Sequence, residues 1–302
     1  MEVTKMILIA GATGALGSEI CRLLADKDRP IRALVRETSD PEKVRQLKDL
    51  GAETVIGDLT DRISLDDACR GIKTVISTVS GIHGRLDGDT IERVDREGQQ
   101  NLIDAAKAAG VERFIFISFP GGKEGFPLQD AKRSTEQKIK ESGMNYTILQ
   151  PTCFMEVWLS PALGFDAAGG EARIYGSGEN KVSWISYRDV AKFAVAAIDN
   201  SAAYDAVIEL GGPEALSLLE VVKIFENAMG RKFSLQHVPE EALMQQKSAT
   251  TDARAQSFAG LMLYAAEGSP ISMDETLKKF PVALHSVEDY AASVLKSAGS
   301  AA

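Results

Sequence analysis

Three glycines, Gly11, Gly14 and Gly17, stand between a short apolar run and an amphipathic segment. Glycines with this spacing and in this context are typical of a turn that binds a dinucleotide. Gly11 permits the tight turn, Gly14 lets a pyrophosphate approach bare backbone, and Gly17 lets the following helix pack closely. The N–H groups and the positive dipole at the start of that helix attract phosphate. The residues expected to contact the cofactor in this turn are Gly11, Thr13, Gly14, Ala15, Leu16 and Gly17.

The end of the second predicted strand carries Arg36, where sites that prefer NAD commonly carry Asp or Glu. A guanidinium cannot accept hydrogen bonds from a ribose 2'-hydroxyl, but it can pair with a 2'-phosphate and stack on adenine. Arg36 therefore predicts NADP(H) as the cofactor rather than NAD(H). The alternative is a solvated surface arginine.

Further candidate contacts lie where the next two predicted strands end. Asp58 and Leu59 follow the third strand and could flank adenine, while Ser77, Thr78 and Val79 end the fourth strand beside the expected cofactor path. On spacing alone, ordinary turns at strand ends explain these residues equally well.

Short β-rich runs alternate with longer amphipathic segments through the first half of the chain, a pattern that predicts an α/β fold with a doubly wound parallel sheet of Rossmann type. The predicted strands are Met6 to Ile9, Ile31 to Val35, Thr54 to Ile56, Thr74 to Ser77, Phe114 to Ser118 and Tyr146 to Leu149. The predicted helices are Ser18 to Asp26, Pro41 to Leu50, Ser64 to Arg70, Thr90 to Ala109 and Ala131 to Ser142.

After Pro151 the alternation weakens, which predicts a dinucleotide-binding domain over 1–153 and a smaller, mostly helical substrate lobe over 154–302. Within that second part, 182–212 is expected to return to the main sheet. Helices are predicted there at Glu220 to Met229, Pro239 to Gln246 and Ser286 to Leu295, with Ser286 as a cap.

The composition limits the classes of partner. The chain has 302 residues, 44% of them hydrophobic and 25% charged, and a formal net charge of −9. This acidic balance opposes binding to nucleic acid or anionic membranes. The three cysteines are far apart, so neither a disulfide framework nor a metal site is indicated. We expect a cytoplasmic protein with a small-molecule substrate, and a homodimer is compatible with these features.

Together these motifs resemble the short-chain dehydrogenase/reductase superfamily and, within it, the atypical NmrA-like branch. The glycine motif marks only the superfamily, whereas the ordered set of motifs indicates the branch. The other matching stretches are 34–36, 57–59, 114–118, 145–151, 184–191 and 210–214. The branch includes quinone, isoflavone-like and triphenylmethane reductases, and also redox-sensing regulators that bind a dinucleotide without turnover.

The resemblance implies which residues would serve the reaction. The superfamily has a proton-donating tyrosine four residues before a lysine that binds the nicotinamide ribose; here Lys132 takes the place of the lysine, and Leu128 stands where the tyrosine would be. Ser118 matches the serine that orients a carbonyl. Lys132 and Ser118 are thus the catalytic candidates, and the alternatives are a solvated helix residue and a strand-end cap.

The segment after the sixth strand is expected near the nicotinamide end of the cofactor. It contains Pro151, Cys153 and Phe154, for which ordinary core packing is the alternative. His83 is another conceivable proton donor, although a lone loop histidine is more often solvated. The glycine-containing loop from Phe119 to Gln129 is hypothesised to act as a gate.

Leu128 has no proton to give, so ordinary ketone reduction through a phenol is not expected. A quinone, an enone or an electron-poor aromatic acceptor is already activated and can take hydride without that acid. The sequence thus favours an NADPH-dependent oxidoreductase that acts on such acceptors. The alternative is a non-catalytic NADP(H)-sensing regulatory protein.

Overall fold

A computed structural model describes residues 5–82, 84 and 88–299. The chain divides into two compact units: the first comprises the residues up to 119 with 127–150 and 190–208, and the second comprises 120–126, 151–189 and the residues from 209 onward. In chain order the strands are β1 (Met6–Ala10), β2 (Ile31–Val35), β3 (Glu53–Ile56), β4 (Ile72–Ser77), β5 (Arg113–Ile117), β6 (Asn145–Pro151), β7 (Phe165–Asp166), β8 (Glu171–Tyr175), β9 (Lys181–Val182), β10 (Ala206–Leu210), β11 (Leu216–Ser217) and β12 (Ser234–Val238). The α-helices are α1 (Ala15–Ala25), α2 (Pro41–Asp49), α3 (Arg62–Ala68), α4 (Gln99–Ala108), α5 (Pro127–Glu141), α6 (Met155–Trp158), α7 (Tyr187–Ala197), α8 (Leu218–Met229), α9 (Glu240–Ser248), α10 (Ala253–Glu267), α11 (Asp274–Lys279) and α12 (Val287–Gly299).

The largest sheet has seven strands in the order β10-β6-β5-β4-β1-β2-β3. Neighbouring strands from β1 to β6 pair in parallel. The chain winds outward from β1 to β3 and then crosses back to β4, so the strand order reverses between β1 and β4. Open α/β sheets bind ligands at this switch point, beyond the carboxyl ends of the strands. The predicted Rossmann class is confirmed.

The central strands of this sheet are buried on both faces. Ile7, Leu8 and Ile9 are fully buried in β1, and every residue of β5 is buried, with Phe114 and Phe116 among the largest enclosed side chains. Such continuous apolar strands are expected where helices cover both faces of a parallel sheet. The core therefore holds the carboxyl ends of β1, β4 and β5 in fixed positions.

The chain that leads into α4 does not form the single regular helix that the sequence predicts from Thr90 to Ala109. A π-helix runs over Ile91–Gly98 and precedes α4. Gly98 lies against Leu59, whose Cβ would be 2.8 Å from a Cβ at this glycine. π-helical turns are rare and often occur at functional sites. This one turns the Asp95 carboxylate into the protein interior, where it is fully buried.

The second unit combines helices with two small sheets. A three-stranded sheet has the order β12-β8-β7, and β9 pairs with β11. Phe165, Phe225 and Phe233 form an aromatic cluster in its core, with Phe165 and Phe225 meeting edge to face. After Leu216 the sequence predicts only helical segments, and strand β12 shows that this prediction is wrong for residues 234–238. Four of the five residues of β12 are exposed, so this strand does not have one buried and one exposed face, the arrangement from which a strand is recognised.

Candidate functional site

The turn after β1 has the close packing that its glycines predict. Gly11 adopts a left-handed φ of +84°, and a Cβ there would lie 2.5 Å from the Thr78 hydroxyl oxygen at the end of β4. A Cβ at Gly17 would lie 2.2 Å from the Gly11 carbonyl oxygen, and one at Gly14 would lie 3.2 Å from the same atom. A side chain is thus excluded at Gly11 and Gly17 and would be tightly packed at Gly14, which leaves a cradle of bare backbone at the switch point.

Helix α1 begins directly above this cradle. Gly14 is its N-cap and offers no side-chain cap, and its first turn contains no acidic residue. The N–H of Ser18 donates to the Gly14 carbonyl, which starts the helical ladder, so the N–H groups of Ala15 and Leu16 precede that ladder. Such N–H groups, together with the helix dipole, suit a phosphate. Thr13 precedes them in the same turn.

Arg36 follows β2 and lies among carboxylates. Its Nη1 is 3.0 and 3.1 Å from the two carboxylate oxygens of Asp89 and 3.9 Å from Asp58 Oδ2. These acidic groups orient the guanidinium, which remains one-third exposed. The backbone N–H of Arg36 donates to the Ser39 hydroxyl, which fixes the turn after the strand.

Lys43 is a second cation that sequence reasoning missed. It lies on α2, and its Nζ donates to the carbonyl of Thr13 in the glycine turn, at 3.2 Å. Lys43 therefore places a positive charge beside the turn. Only the fold brings Lys43 to Thr13, thirty residues earlier in the chain.

The candidates at the ends of β3 and β4 have different surroundings. Asp58 Oδ1 accepts hydrogen bonds from the N–H and hydroxyl of Thr60. Leu59 is buried and packs in the core of the first unit. Ser77 is also fully buried, and its hydroxyl donates to Gln99, which directs it into the interior. Thr78, by contrast, lies against Gly11, and so does Val79, whose Cγ2 is 3.3 Å from the Cβ position there.

Lys132 lies on α5 with its ammonium group buried beside the ends of two strands. Its Nζ donates to the carbonyls of Val79, at 3.3 Å, and Ile117, at 3.2 Å, and lies 4.8 Å from the centroid of the Phe116 ring. Asp95 Oδ1 is 3.9 Å away. Burial lowers the pKa of Lys132 below its ordinary value, while the Asp95 charge opposes that shift. The alternative of a solvated helix residue is therefore wrong, because only 6% of Lys132 is exposed.

Ser118 follows β5 directly and belongs to a buried polar network. Its hydroxyl donates to Glu136 Oε1 at 2.5 Å, and the same oxygen accepts hydrogen bonds from Gln150 and Arg133. Arg133 also donates to the carbonyl of Phe119 at 2.5 Å. Because the single hydroxyl proton of Ser118 points at a carboxylate, Ser118 presents acceptor lone pairs to its other neighbours.

Leu128 is buried in the first turn of α5, on the same helix as Lys132. Helix α5 begins at Pro127, four residues before the predicted start, which shortens the hypothesised gate loop. An apolar side chain thus occupies the position of the superfamily's tyrosine. The first unit offers no phenol at that point.

Pro151, Cys153 and Phe154 belong to the second unit. The Cys153 carbonyl accepts a hydrogen bond from Ile185 N–H at 3.1 Å, and Phe154 forms a β-bridge with Ile185. Cys153 is 1% exposed, and burial raises the pKa of its thiol well above the ordinary range. These contacts describe a packed segment, and a cofactor role for it stays a prediction.

His83, the other proton donor considered from the sequence, lies outside the residues that the structure describes. Among the residues that the structure does describe, no group of His, Cys, Asp and Glu side chains is placed to hold a metal ion. The helices in the same part of the chain are too short or too polar for any of them to span a membrane.

The chain matches the profile of the NmrA-like family over residues 3–291. It is 35% identical over 229 residues to the NAD(P)H azoreductase of Xenophilus azovorans, which covers 75% of this chain and 74% of that protein. It is 31% identical over 251 residues to the photosystem II assembly factor Ycf39 of Synechocystis, covering 81% of this chain and 74% of that protein. The fold matches the NADPH-dependent quinone oxidoreductase of Escherichia coli in complex with NADPH, with a TM-score of 0.75, 24% identity and coverage of 96% and 100%.

Replacing Gly17 with alanine tests the cradle. The new methyl group meets the Gly11 carbonyl at 2.2 Å, so the helix must shift, and we expect the free energy of unfolding to fall by about 1–3 kcal/mol. Urea denaturation measures the change. Gly122→Ala is the control, because the nearest atom to its Cβ position is at an ordinary 3.5 Å. Equal stability of the two variants would contradict the close packing of α1 on the turn.

Proposed function

The chain belongs to the NmrA-like family, and from that premise we propose that it is an NADPH-dependent reductase of small, electron-poor organic acceptors such as quinones, enones or aromatic compounds. One observation carries the proposal: a complete glycine cradle lies in the same unit as a candidate reaction centre in which neither position 128 nor Ser118 offers a hydroxyl proton to a carbonyl. Leu128 has no proton, and the hydroxyl proton of Ser118 points at Glu136. Acceptors that need an acid are therefore disfavoured.

The residues present fit a bound dinucleotide. A Cβ at Gly11 or Gly17 would fill the space that the cradle keeps open, and the N–H groups at the start of α1 lie beside that space. Residues 11–17 would hold the pyrophosphate, and Thr78 and Val79 would border it. When bound, the reduced cofactor supplies a hydride.

Arg36 and Lys43 support a preference for the 2'-phosphate. Arg36 approaches from the end of β2 and Lys43 from α2, where it already contacts the turn. The 2'-phosphate of NADPH would form ion pairs with two cations. In NAD-specific sites, by contrast, an acidic residue accepts a hydrogen bond from the ribose 2'-hydroxyl. The Asp89 carboxylate competes with the phosphate for Arg36, so Asp89 would limit the preference.

Lys132 would stabilise negative charge that an acceptor gains with the hydride. Its ammonium group is held at the ends of β4 and β5 by two carbonyls, so it needs little reorganisation to do so. Ser118, oriented by Glu136, would accept a hydrogen bond from a hydroxyl of the nicotinamide ribose. The proton that completes the reduction of a quinone would come from solvent.

A binding protein without turnover is the second candidate. The relative named photosystem II assembly factor carries a name that describes assembly rather than catalysis, and it covers 81% of this chain. The absence of a phenol at position 128 suits that role as well. Binding of NADPH with no turnover on any acceptor would favour it.

The acceptor class is tested by NADPH oxidation with a matched panel. We expect quinones and an azo dye, the class that the azoreductase relative's name indicates, to be reduced at least about 100-fold faster than simple aliphatic ketones. The reason is that a missing general acid slows carbonyl reduction by that order. Absorbance at 340 nm follows the reaction. Efficient turnover of ketones with none of quinones would contradict the proposed acceptor class.

The cofactor preference is tested at Arg36 and Lys43. Replacing either with alanine should weaken NADPH binding about 10-fold or more while changing NADH binding little, because only NADPH has the 2'-phosphate. Titration calorimetry measures both affinities. Arg45→Ala is the control, since Arg45 lies on the same helix as Lys43 but pairs with the exposed Glu42. Parallel losses for the two cofactors would contradict the assignment.

A further inference from the structure

Asp95 is a fully buried carboxylate whose bonding is incomplete. Its Oδ2 accepts a hydrogen bond from the N–H of Gly81 at 2.8 Å, whereas its Oδ1 has no hydrogen-bond partner among the residues that the structure describes. The nearest cation to Oδ1 is Lys132 Nζ, at 3.9 Å. A buried carboxylate oxygen without a hydrogen bond is costly and calls for an explanation.

The protein holds this carboxylate in place from two sides. A Cβ at Gly81 would lie 2.9 Å from Asp95 Oδ2, so the glycine allows the close approach. The Thr135 hydroxyl donates to the Asp95 carbonyl at 3.0 Å and ties the π-helix to α5, the helix that carries Lys132. Asp95 is thus held beside Lys132 by contacts with Gly81 and Thr135, neither of which carries a charge.

The geometry fits an ionised pair better than a neutral one. Lys132 Nζ donates to two carbonyls and Asp95 Oδ2 accepts from a backbone N–H, which are the hydrogen-bonding roles of an ammonium group and of a carboxylate. If Asp95 is ionised, the ammonium group at 3.9 Å is its counter-charge. Burial raises the pKa of Asp95, and the Lys132 charge, the Gly81 N–H and the Ser80 hydroxyl oppose that rise. Burial lowers the pKa of Lys132, and the Asp95 charge opposes that fall.

Two further charges face Lys132, both from α5. Glu136 favours the charged form of the ammonium group and Arg133 disfavours it. These two side chains also pair with each other. Of the two charges that favour protonation of Lys132, Asp95 has the larger effect and Glu136 the smaller.

We propose that Asp95 is a positioning residue that keeps the Lys132 ammonium group charged and directed at the ends of β4 and β5. The role of that charge in the reaction rests on the proposed function, because it is the reductase reaction that places negative charge on an acceptor there. The pairing itself rests only on the geometry of the first unit. The two parts can therefore be tested separately.

The pairing is tested by a double-mutant cycle in unfolding, which needs no cofactor and no turnover. The variants are Asp95→Asn, Lys132→Met and the double variant. Each single change leaves one buried charge alone and should lower the urea midpoint, whereas the double change removes both charges and should restore much of the loss. We expect a coupling of roughly tenfold in the folding equilibrium constant. If Asp95→Asn alone does not fold but the double variant does, that rescue shows the same coupling. If the losses of stability of the two single variants simply add in the double variant, the pairing is overturned.

The effect on the reaction is tested by the pH profile of kcat/KM with NADPH and a quinone. Asp95→Asn removes the charge that favours the ammonium form, so the pKa of Lys132 falls further and the ammonium is lost at lower pH. The alkaline limb should therefore move to lower pH by about one pH unit or more. Glu97→Gln is the matched control, because it makes the same charge change at an exposed position of the same π-helix and should leave the limb in place.

The two measurements separate the possible failures. An alkaline limb unmoved in Asp95→Asn would overturn the positioning role even if the stability cycle shows coupling. If the wild-type protein turns over no acceptor, the proposed function fails, and the pH dependence of NADPH binding replaces the rate profile. In that case the pH above which NADPH affinity falls is compared between the two proteins. A lower value in Asp95→Asn than in wild type supports the positioning of Lys132, and identical pH profiles overturn it.

Discussion

The Gly11 carbonyl lies so close to helix α1 that position 17 has no room for a Cβ atom. This contact sets the height of the helix above β1 and therefore where its N-terminal N–H groups lie. It also fixes the neighbouring strand, because Gly11 meets the side chains of Thr78 and Val79 where β4 ends. The Val79 carbonyl in turn accepts a hydrogen bond from Lys132. One series of contacts thus joins the glycine cradle to the candidate reaction centre within a single unit.

The sequence predicted the parts of this series that depend on local pattern. The spacing of Gly11, Gly14 and Gly17 correctly predicted a strand, a tight turn and a helix, and the alternating segments predicted the doubly wound sheet. Ser286 also caps α12 as expected, since its hydroxyl accepts the Asp289 N–H. These features were accessible because a turn, a cap or a buried strand leaves its mark within a few neighbouring residues.

The remaining parts of the site depend on contacts between distant segments. Lys43 resembles any other solvated helix lysine until α2 packs beside the turn and brings it to Thr13. Nothing in the local pattern around Asp95 distinguishes a π-helix from an α-helix, so its burial could not be read from periodicity. The partner of Ser118 lies eighteen residues away on α5, and this bond decides whether the serine donates or accepts. Such assignments require the tertiary structure because the relevant neighbour is not a sequence neighbour.

The buried charges bear on the choice between a reductase and a sensor. A protein that only binds a dinucleotide needs the cradle, the helix N-terminus and a cation for the phosphate, all of which lie at the ends of β1 and β2. The ribose contact that the resemblance implies for Lys132 would serve such a protein as well, but that contact does not require the ammonium group to be buried beside a carboxylate oxygen without a hydrogen bond. Buried ion pairs contribute little to stability, because the cost of desolvation offsets the attraction between the charges. The Asp95–Lys132 pair, with one carboxylate oxygen left without a hydrogen bond, is therefore better explained by chemistry at that edge than by folding alone.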